Sequence, residues 1–103
     1  MSSPSKMLLV FLSQNDMHGE VPLYEAVVRR MVQLEVSGAT VNMGVMGFGS
    51  HHKVHHKRLF GVADDRPVTI TVIDSEEKLR KIAPEIRKLV PDGIIVLTCA
   101  ELL

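Results

Sequence analysis

Residues 67–73 read Pro-Val-Thr-Ile-Thr-Val-Ile, and this stretch decides the fold. In an extended chain Val68, Ile70 and Val72 point to one side, and the two threonines between them point to the other. Side chains branched at Cβ dominate the stretch, which is typical of a β-strand. The pattern therefore predicts a strand over 67–73 with one apolar face and one polar face.

Three other stretches are also predicted to be strands. Residues 7–12 are continuously apolar, which favours a central strand buried on both faces. Residues 39–47 alternate with a period of two and contain Gly44 and Gly47, and a glycine within a strand often marks a close approach of other atoms. Residues 94–100 form the last strand after the Pro-Asp-Gly turn at 91–93, and Cys99 within it is expected to be a buried apolar residue.

Two helices lie between these strands. Apolar residues recur at helical spacing at Leu23, Val27, Met31 and Leu34 in the first helix and at Leu79, Ile82, Ile86 and Leu89 in the second.

The ends of the helices are predicted from their flanking residues. Pro22 suits the first turn of the first helix, and Gly38 is expected to stop it. Asp74, followed by Glu77, is expected to cap the second helix in a capping box. Pro84 is expected to bend or split that helix because a proline lacks the N–H of the helical hydrogen bond.

The order of elements is βαββαβ, which predicts a ferredoxin-like α+β fold. It has a four-stranded antiparallel sheet, two helices on one face, and a long segment, residues 48–66, between the second and third strands. Residues 1–5 are expected to be a disordered N-terminus, and residues 6–103 one domain.

The sheet is expected to have a second face that the helices do not cover. The first and last strands are apolar on both sides, so another copy of the chain is the predicted cover, which makes the protein a homo-oligomer. The alternative is that threonine and methionine side chains on that face tolerate water.

Composition excludes several classes of function. Twelve basic residues balance twelve acidic ones, which argues against a nucleic-acid partner. The apolar run at 7–12 is too short to span a membrane, so no direct membrane insertion and a cytoplasmic location are expected.

Several short segments in the right order resemble one family: Pro-Leu-Tyr-Glu-Ala at 22–26, Gly-Ala-Thr-Val at 38–41, Gly-Phe-Gly at 47–49, and Pro-Val at 67–68 running into Ile-Asp at 73–74. They resemble the uncharacterised domain of unknown function 190, which is grouped with the PII-like signalling proteins. The resemblance implies a homotrimer with adenine nucleotides bound in clefts between subunits. It also implies a "T-loop", here residues 48–66, that docks on a target protein such as a membrane transporter.

The same resemblance assigns residues to the ligand site. Gly47, Phe48 and Gly49 match the glycine-rich base of the T-loop, and Gly93 matches the turn before the last strand. Arg66, at the start of the third strand, is a candidate donor to a phosphate or carboxylate, although a surface ion pair with a neighbouring aspartate explains it equally well.

Two positions depart from the PII pattern. Ile94 stands where PII proteins have a phosphate-binding lysine, and His51 stands where they have a glutamine. A less charged ligand, such as a nucleoside monophosphate or a cyclic nucleotide, is therefore expected.

The long segment contains four histidines, His51, His52, His55 and His56, in two pairs spaced four residues apart. If the segment turned helical, either pair could bind a divalent metal such as zinc, copper or nickel. The preferred interpretation is a solvated basic loop in which Lys53, Lys57 and Arg58, together with His51, attract an anionic partner. An adenine nucleotide is thus the first candidate ligand and a metal the second.

Catalysis is not expected. An acylphosphatase of this fold needs an arginine in the loop after the first strand, and the first arginine of the chain, Arg29, lies within the first helix. The fold of RNA-binding domains has the same order of elements, but the strand at 67–73 has no aromatic residue on which a base could stack. A regulatory binding module is the preferred function, and a metal-binding protein is the alternative.

Overall fold

The computed structural model describes residues 3–48 and 65–103. In chain order the elements are β1 (Ser5–Ser13), β2 (Met17–His18), β3 (Val21–Pro22), α1 (Leu23–Gln33), β4 (Thr40–Met43), β5 (Pro67–Ser75), α2 (Glu76–Leu89) and β6 (Ile94–Cys99). β4, β5, β1 and β6 form, in that order, a four-stranded antiparallel sheet, and β2 pairs with β3 in a small hairpin. Both helices pack on one face of the large sheet, which confirms the predicted ferredoxin-like fold.

The core lies between the helices and alternate residues of the two central strands. β1 contributes Leu8, Val10 and Leu12, β5 contributes Val68, Ile70 and Val72, and the helices contribute Leu23, Val27, Met31, Leu79, Ile82 and Ile86. All of these side chains are buried. The period-two pattern of 67–73 and the helical spacing therefore identified most of the core, since each apolar stripe packs on one neighbouring layer. Leu34 and Leu89, the last residues of the two predicted helical stripes, are only partly buried against it.

Neither α1 nor α2 lies over the other face of the sheet. We call it the open face, and its residues are Met7, Leu9, Phe11, Thr40, Asn42, Thr69, Thr71, Ile73, Ile94, Val96 and Thr98. None of these side chains is charged, although 23% of the whole chain is. Within a single copy, β1 is thus buried on one face rather than on both as its sequence predicted.

The first helix ends earlier than predicted. It stops at Gln33 instead of near Gly38. Glu35 takes the left-handed conformation with φ of 60°, and the Val36 N–H donates to the Met31 carbonyl at 3.3 Å. The left-handed residue and this hydrogen bond together form a Schellman-type helix end. The left-handed position is therefore filled by a glutamate, Glu35, rather than by a glycine. Neither helix of the described residues is long and apolar enough to cross a membrane.

The second helix begins at a different cap from the one predicted. Ser75 is the N-cap, and its Oγ accepts the Lys78 N–H at 3.2 Å. Asp74 instead accepts the Ser37 N–H at 3.0 Å, which ties the entry of α2 to the loop after α1. Serine and aspartate are equally good N-caps, so their order along the chain could not settle which one caps the helix.

Two single-residue predictions need correction. Of the two outcomes expected at Pro84, a split is wrong, because α2 runs without interruption from Glu76 to Leu89. Cys99 is exposed rather than buried, because β6 is an edge strand and Cys99 is its last residue. Its Sγ lies 3.2 Å from the Nζ of Lys6 on the neighbouring strand.

Two boundaries also differ. β1 begins at Ser5, and the preceding Pro4 carbonyl accepts the Glu76 N–H at 2.7 Å, so order begins before Lys6. The strand predicted over 39–47 ends at Met43.

Candidate functional site

A cavity of about 620 Å³ opens at one end of the sheet, and we call it the end cavity. Its walls are residues 11–13 of β1, residues 16–18, Phe48, residues 67–68 of β5, and residues 88–94 between α2 and β6, with Leu23 below. Its volume falls in the range that suits a small organic ligand, which is roughly 300–1,000 Å³. Four parts of the chain that are far apart in the sequence, 11–23, 48, 67–68 and 88–94, therefore meet at one concave site.

The hairpin wall follows directly from β1. The carboxylate of Asp16 accepts the Ser13 N–H at 3.0 Å, and its backbone carbonyl accepts the Leu23 N–H at 2.7 Å. Gly19 supplies the left-handed residue, φ 62°, that closes the hairpin. These bonds fix Met17 and His18 against the cavity, where the sequence predicted only a loop.

The wall at the start of β5 is held by two glycines. The Gly44 N–H donates to the Pro67 carbonyl at 2.7 Å. A Cβ atom on Gly44 or Gly47 would lie 2.7 Å or 3.0 Å from Cγ of Pro67. The predicted close approach at these glycines is confirmed, and the neighbour is the ring of Pro67. Pro67 lines the cavity. Since Gly47 packs on the Pro67 ring, the next residue, Phe48, also lies at the cavity.

The turn between α2 and β6 forms the opposite wall. A Cβ atom on Gly93 would clash with Cγ1 of Val90 and would lie 2.7 Å from the carbonyl oxygen of Phe11. Only glycine fits this approach without a shift of the backbone. The turn is therefore packed directly against the end of β1.

Apolar side chains remain exposed at the cavity. Phe11 is 40% exposed and Phe48 is 68% exposed. The described residues contain three phenylalanine or tyrosine rings, Phe11, Tyr24 and Phe48, and two of them line this one site. A planar ring of a ligand would find stacking partners here.

Groups of both signs line the cavity. Asp16 and Asp92 supply two carboxylates, Lys88 supplies an ammonium group, and His18 supplies an imidazole. Lys88 is engaged by Glu85, with Nζ 3.0 Å from Oε2. The hydrogen bond from Lys88, its charge and the nearby Arg30 hold the pKa of Glu85 below its ordinary value of 4.5. The described lining thus offers acceptors and donors around an apolar floor rather than a cluster of cations.

The structure brings together part of the predicted site. Phe48 and Gly93 line the end cavity, and Gly47 supports it from behind Pro67. Arg66 is exposed outside the lining, and its carbonyl accepts the Gln14 N–H at 2.8 Å. Sequence reasoning missed Phe11, since its burial was assumed.

The remaining predicted residues lie outside the described part of the chain. They are Gly49, His51, His52, Lys53, His55, His56, Lys57 and Arg58. Within residues 3–48 and 65–103, no group of three or more histidine, cysteine, aspartate or glutamate side chains is placed to hold a metal ion.

Residues 5–102 match the model of the DUF190 family, described as "Uncharacterized ACR". The chain belongs to this family. It is 30% identical over 98 residues to a "UPF0166 protein" of Aquifex aeolicus, covering 95% of this chain and 92% of that one. It is 26% identical over 95 residues to a "UPF0166 protein" of Methanocaldococcus jannaschii, covering 91% and 87% of the two chains.

Solved structures with the same fold include PII proteins. CPII of Thiomonas intermedia, bound to ADP and bicarbonate, has a TM-score of 0.65 and 19% identity, covering 94% of this chain and 86% of that one. PII of Arabidopsis thaliana, bound to citrate, has a TM-score of 0.62 and 13% identity, covering 96% and 79%. CutA1 of Pyrococcus horikoshii has a TM-score of 0.61 and 13% identity, covering 93% and 85%. This member of the DUF190 family therefore has the PII-like fold.

Proposed function

We propose that the chain is a PII-like regulatory module that binds a small nucleotide-type ligand in the end cavity. The proposal depends on one observation: Phe48 and the turn that contains Gly93 line the same cavity of about 620 Å³. Phe48 opens the long 48–66 segment, so a ligand that contacts this ring also contacts the base of the segment proposed to engage a target protein. CPII, which shares the fold, is bound to ADP.

The cavity favours a ligand with a planar ring and few negative charges. The rings of Phe11 and Phe48 supply stacking surface, and Asp16 and Asp92 can accept hydrogen bonds from ring amino groups. Two carboxylates, Asp16 and Asp92, stand beside a single ammonium group, Lys88, in the described lining, and this balance disfavours a polyphosphate there. A nucleoside monophosphate or cyclic nucleotide is the proposed class.

We further propose that the working form is a homo-oligomer, a trimer as the PII resemblance implies. A second copy is the proposed cover of the open face, because that face has no charge and keeps Phe11, Ile73, Ile94 and Val96 partly exposed. Phe11 and Ile94 belong to both the open face and the end cavity. A copy seated on the open face would therefore border the cavity and make it a cleft between subunits.

Binding rather than catalysis is proposed for this site. Ser13, Asp16 and His18 all line the cavity, yet among the described residues no hydrogen bond joins the Ser13 hydroxyl to the His18 imidazole. A serine nucleophile needs that bond for activation. The contact that is present joins the Ser13 backbone N–H to Asp16, and it shapes the hairpin.

Isothermal titration tests the proposal. ATP, ADP, AMP, cyclic AMP and adenosine are titrated into the wild-type protein, and at least one is expected to bind at one site per chain. Phe48→Ala should weaken that binding by roughly 5- to 150-fold, as the loss of a stacked ring does. Val45→Ala is the matched control, because Val45 is exposed three residues away and does not line the cavity. Absence of binding by all five compounds would overturn the proposal.

A further inference from the structure

Arg87 spans the turn that forms one wall of the end cavity. One nitrogen of its guanidinium, Nη1, donates to the Val90 carbonyl at 2.8 Å and to the Gly93 carbonyl at 2.8 Å. A single group thus joins the first and last residues of the α2–β6 turn. Bonds from a charged donor are stronger than those between neutral groups, and two from one rigid planar group fix geometry as well as distance.

The turn is held on its other side by packing. The Val90 side chain is buried in the core, and Gly93 lies against the Phe11 carbonyl with no room for a Cβ atom. Between these two fixed points are Pro91 and Asp92, both of which line the cavity. The shape of this wall therefore depends on the distance between the Val90 and Gly93 carbonyls, and the Arg87 guanidinium bonds both of them.

We infer that Arg87 is a positioning residue for the ligand site: its guanidinium fixes the 90–93 turn and thereby places Asp92 at the cavity. The inference rests on the proposed function of the cavity. The described lining of the end cavity does not include Arg87, which acts on a ligand only through the turn.

Arg80 provides a matched control on the same helix. It is exposed like Arg87, but its Nε bonds Oε2 of Glu76 at 2.7 Å, one turn earlier, and it makes no hydrogen bond to the turn among the described residues. Arg80→Met therefore removes the same charge and a similar side chain without touching the cavity wall.

Amide hydrogen exchange read by mass spectrometry tests the effect on the turn without any ligand. In Arg87→Met, the amides of Val90 and of residues 92–94 should exchange at least about fivefold faster than in wild type, while β1 and β5 stay protected. Arg87→Lys should lie between the two, because an ammonium group keeps the charge and can donate, but its flexible stem does not hold the donor as a rigid guanidinium does. In Arg80→Met the turn should exchange as in wild type. Unchanged exchange at 90–94 in Arg87→Met, or an equal change in Arg80→Met, would overturn the inference.

Titration of AMP and cyclic AMP then tests the link to the ligand. The dissociation constant of whichever compound binds wild type should rise about tenfold in Arg87→Met and stay unchanged in Arg80→Met, at a temperature where both variants are folded. Faster exchange with an unchanged dissociation constant would overturn the positioning role, since the turn would then be merely stabilised. If wild type binds neither compound, that result counts against the proposed function, and the exchange experiment still decides whether Arg87 fixes the turn.

Discussion

Gly93 is the position where the fold and the cavity depend on the same close contact, and Gly93→Ala tests that contact. The added Cβ would clash with Cγ1 of Val90, whose side chain is only 1% exposed and packs in the core. It would also lie 2.7 Å from the carbonyl oxygen of Phe11, which is fixed by pairing with Ile94. Overpacking of this kind costs about 1–3 kcal/mol.

For a chain of this size that cost lowers the melting temperature by roughly 5–20 °C. Differential scanning calorimetry measures it. Gly38→Ala is the control, because a Cβ atom there would meet no heavy atom within 4 Å and the residue is not in the left-handed region. It should leave stability unchanged or raise it by up to about 1 kcal/mol. Equal melting temperatures for the two variants would refute the claim that the turn is packed on β1.

Three other predictions concern the helix layer, the open face and pH. Pro84→Ala should raise the free energy of unfolding in urea by about 1–3 kcal/mol, because alanine restores a helical hydrogen bond within an unbroken α2, and no gain would contradict this. Val96→Glu places a charge on the open face and should lower the mass of the protein measured by light scattering. Val32→Glu, at a helix position that is 71% exposed, should leave the mass unchanged. Equal masses for Val96→Glu and wild type would contradict the proposal that a second copy covers the open face. A hydrogen bond from Arg80 lowers the pKa of Glu76 in the folded protein, and one from Lys88 lowers the pKa of Glu85. The two carboxylates therefore stabilise the fold above the ordinary pKa of 4.5, and this stabilisation is lost as pH falls through the lowered pKa values. Thermal melts from about pH 6 to about pH 2 should accordingly depend less on pH after both glutamates are changed to glutamine, and an unchanged dependence would contradict the assignment.

The large elements of the fold could be predicted because each has a repeating pattern tied to one partner layer. Val68, Ile70 and Val72 alternate with threonines, and α1 and α2 cover the face to which these three residues point, so pattern and structure agree. The helix ends could not be predicted as well, because adjacent residues compete for the same role. Asp74 and Ser75 are both good caps, and only the tertiary bond from Ser37 to Asp74 decides between them.

The site was only partly predictable because it is assembled from distant segments. Gly93 and Phe48 carried a signal in their local motifs. The hairpin at 17–22 has strands of two residues, too short for any periodicity, and its single signal was Gly19 between two polar residues. Phe11 belongs to an apolar run, and such a run shows neither which face of the strand is covered nor where the strand ends. Only the packing of the Gly93 turn against Phe11 in the structure places this residue at the cavity.

A native mass spectrum of the purified protein, recorded with and without added AMP or cyclic AMP, tests the central claim most directly. The claim predicts a species whose mass is a multiple of the 11.4 kDa chain, three copies on the PII analogy, and a further mass increment of one nucleotide per chain with at least one of the two compounds. A single-chain species at 11.4 kDa that gains no nucleotide would contradict it.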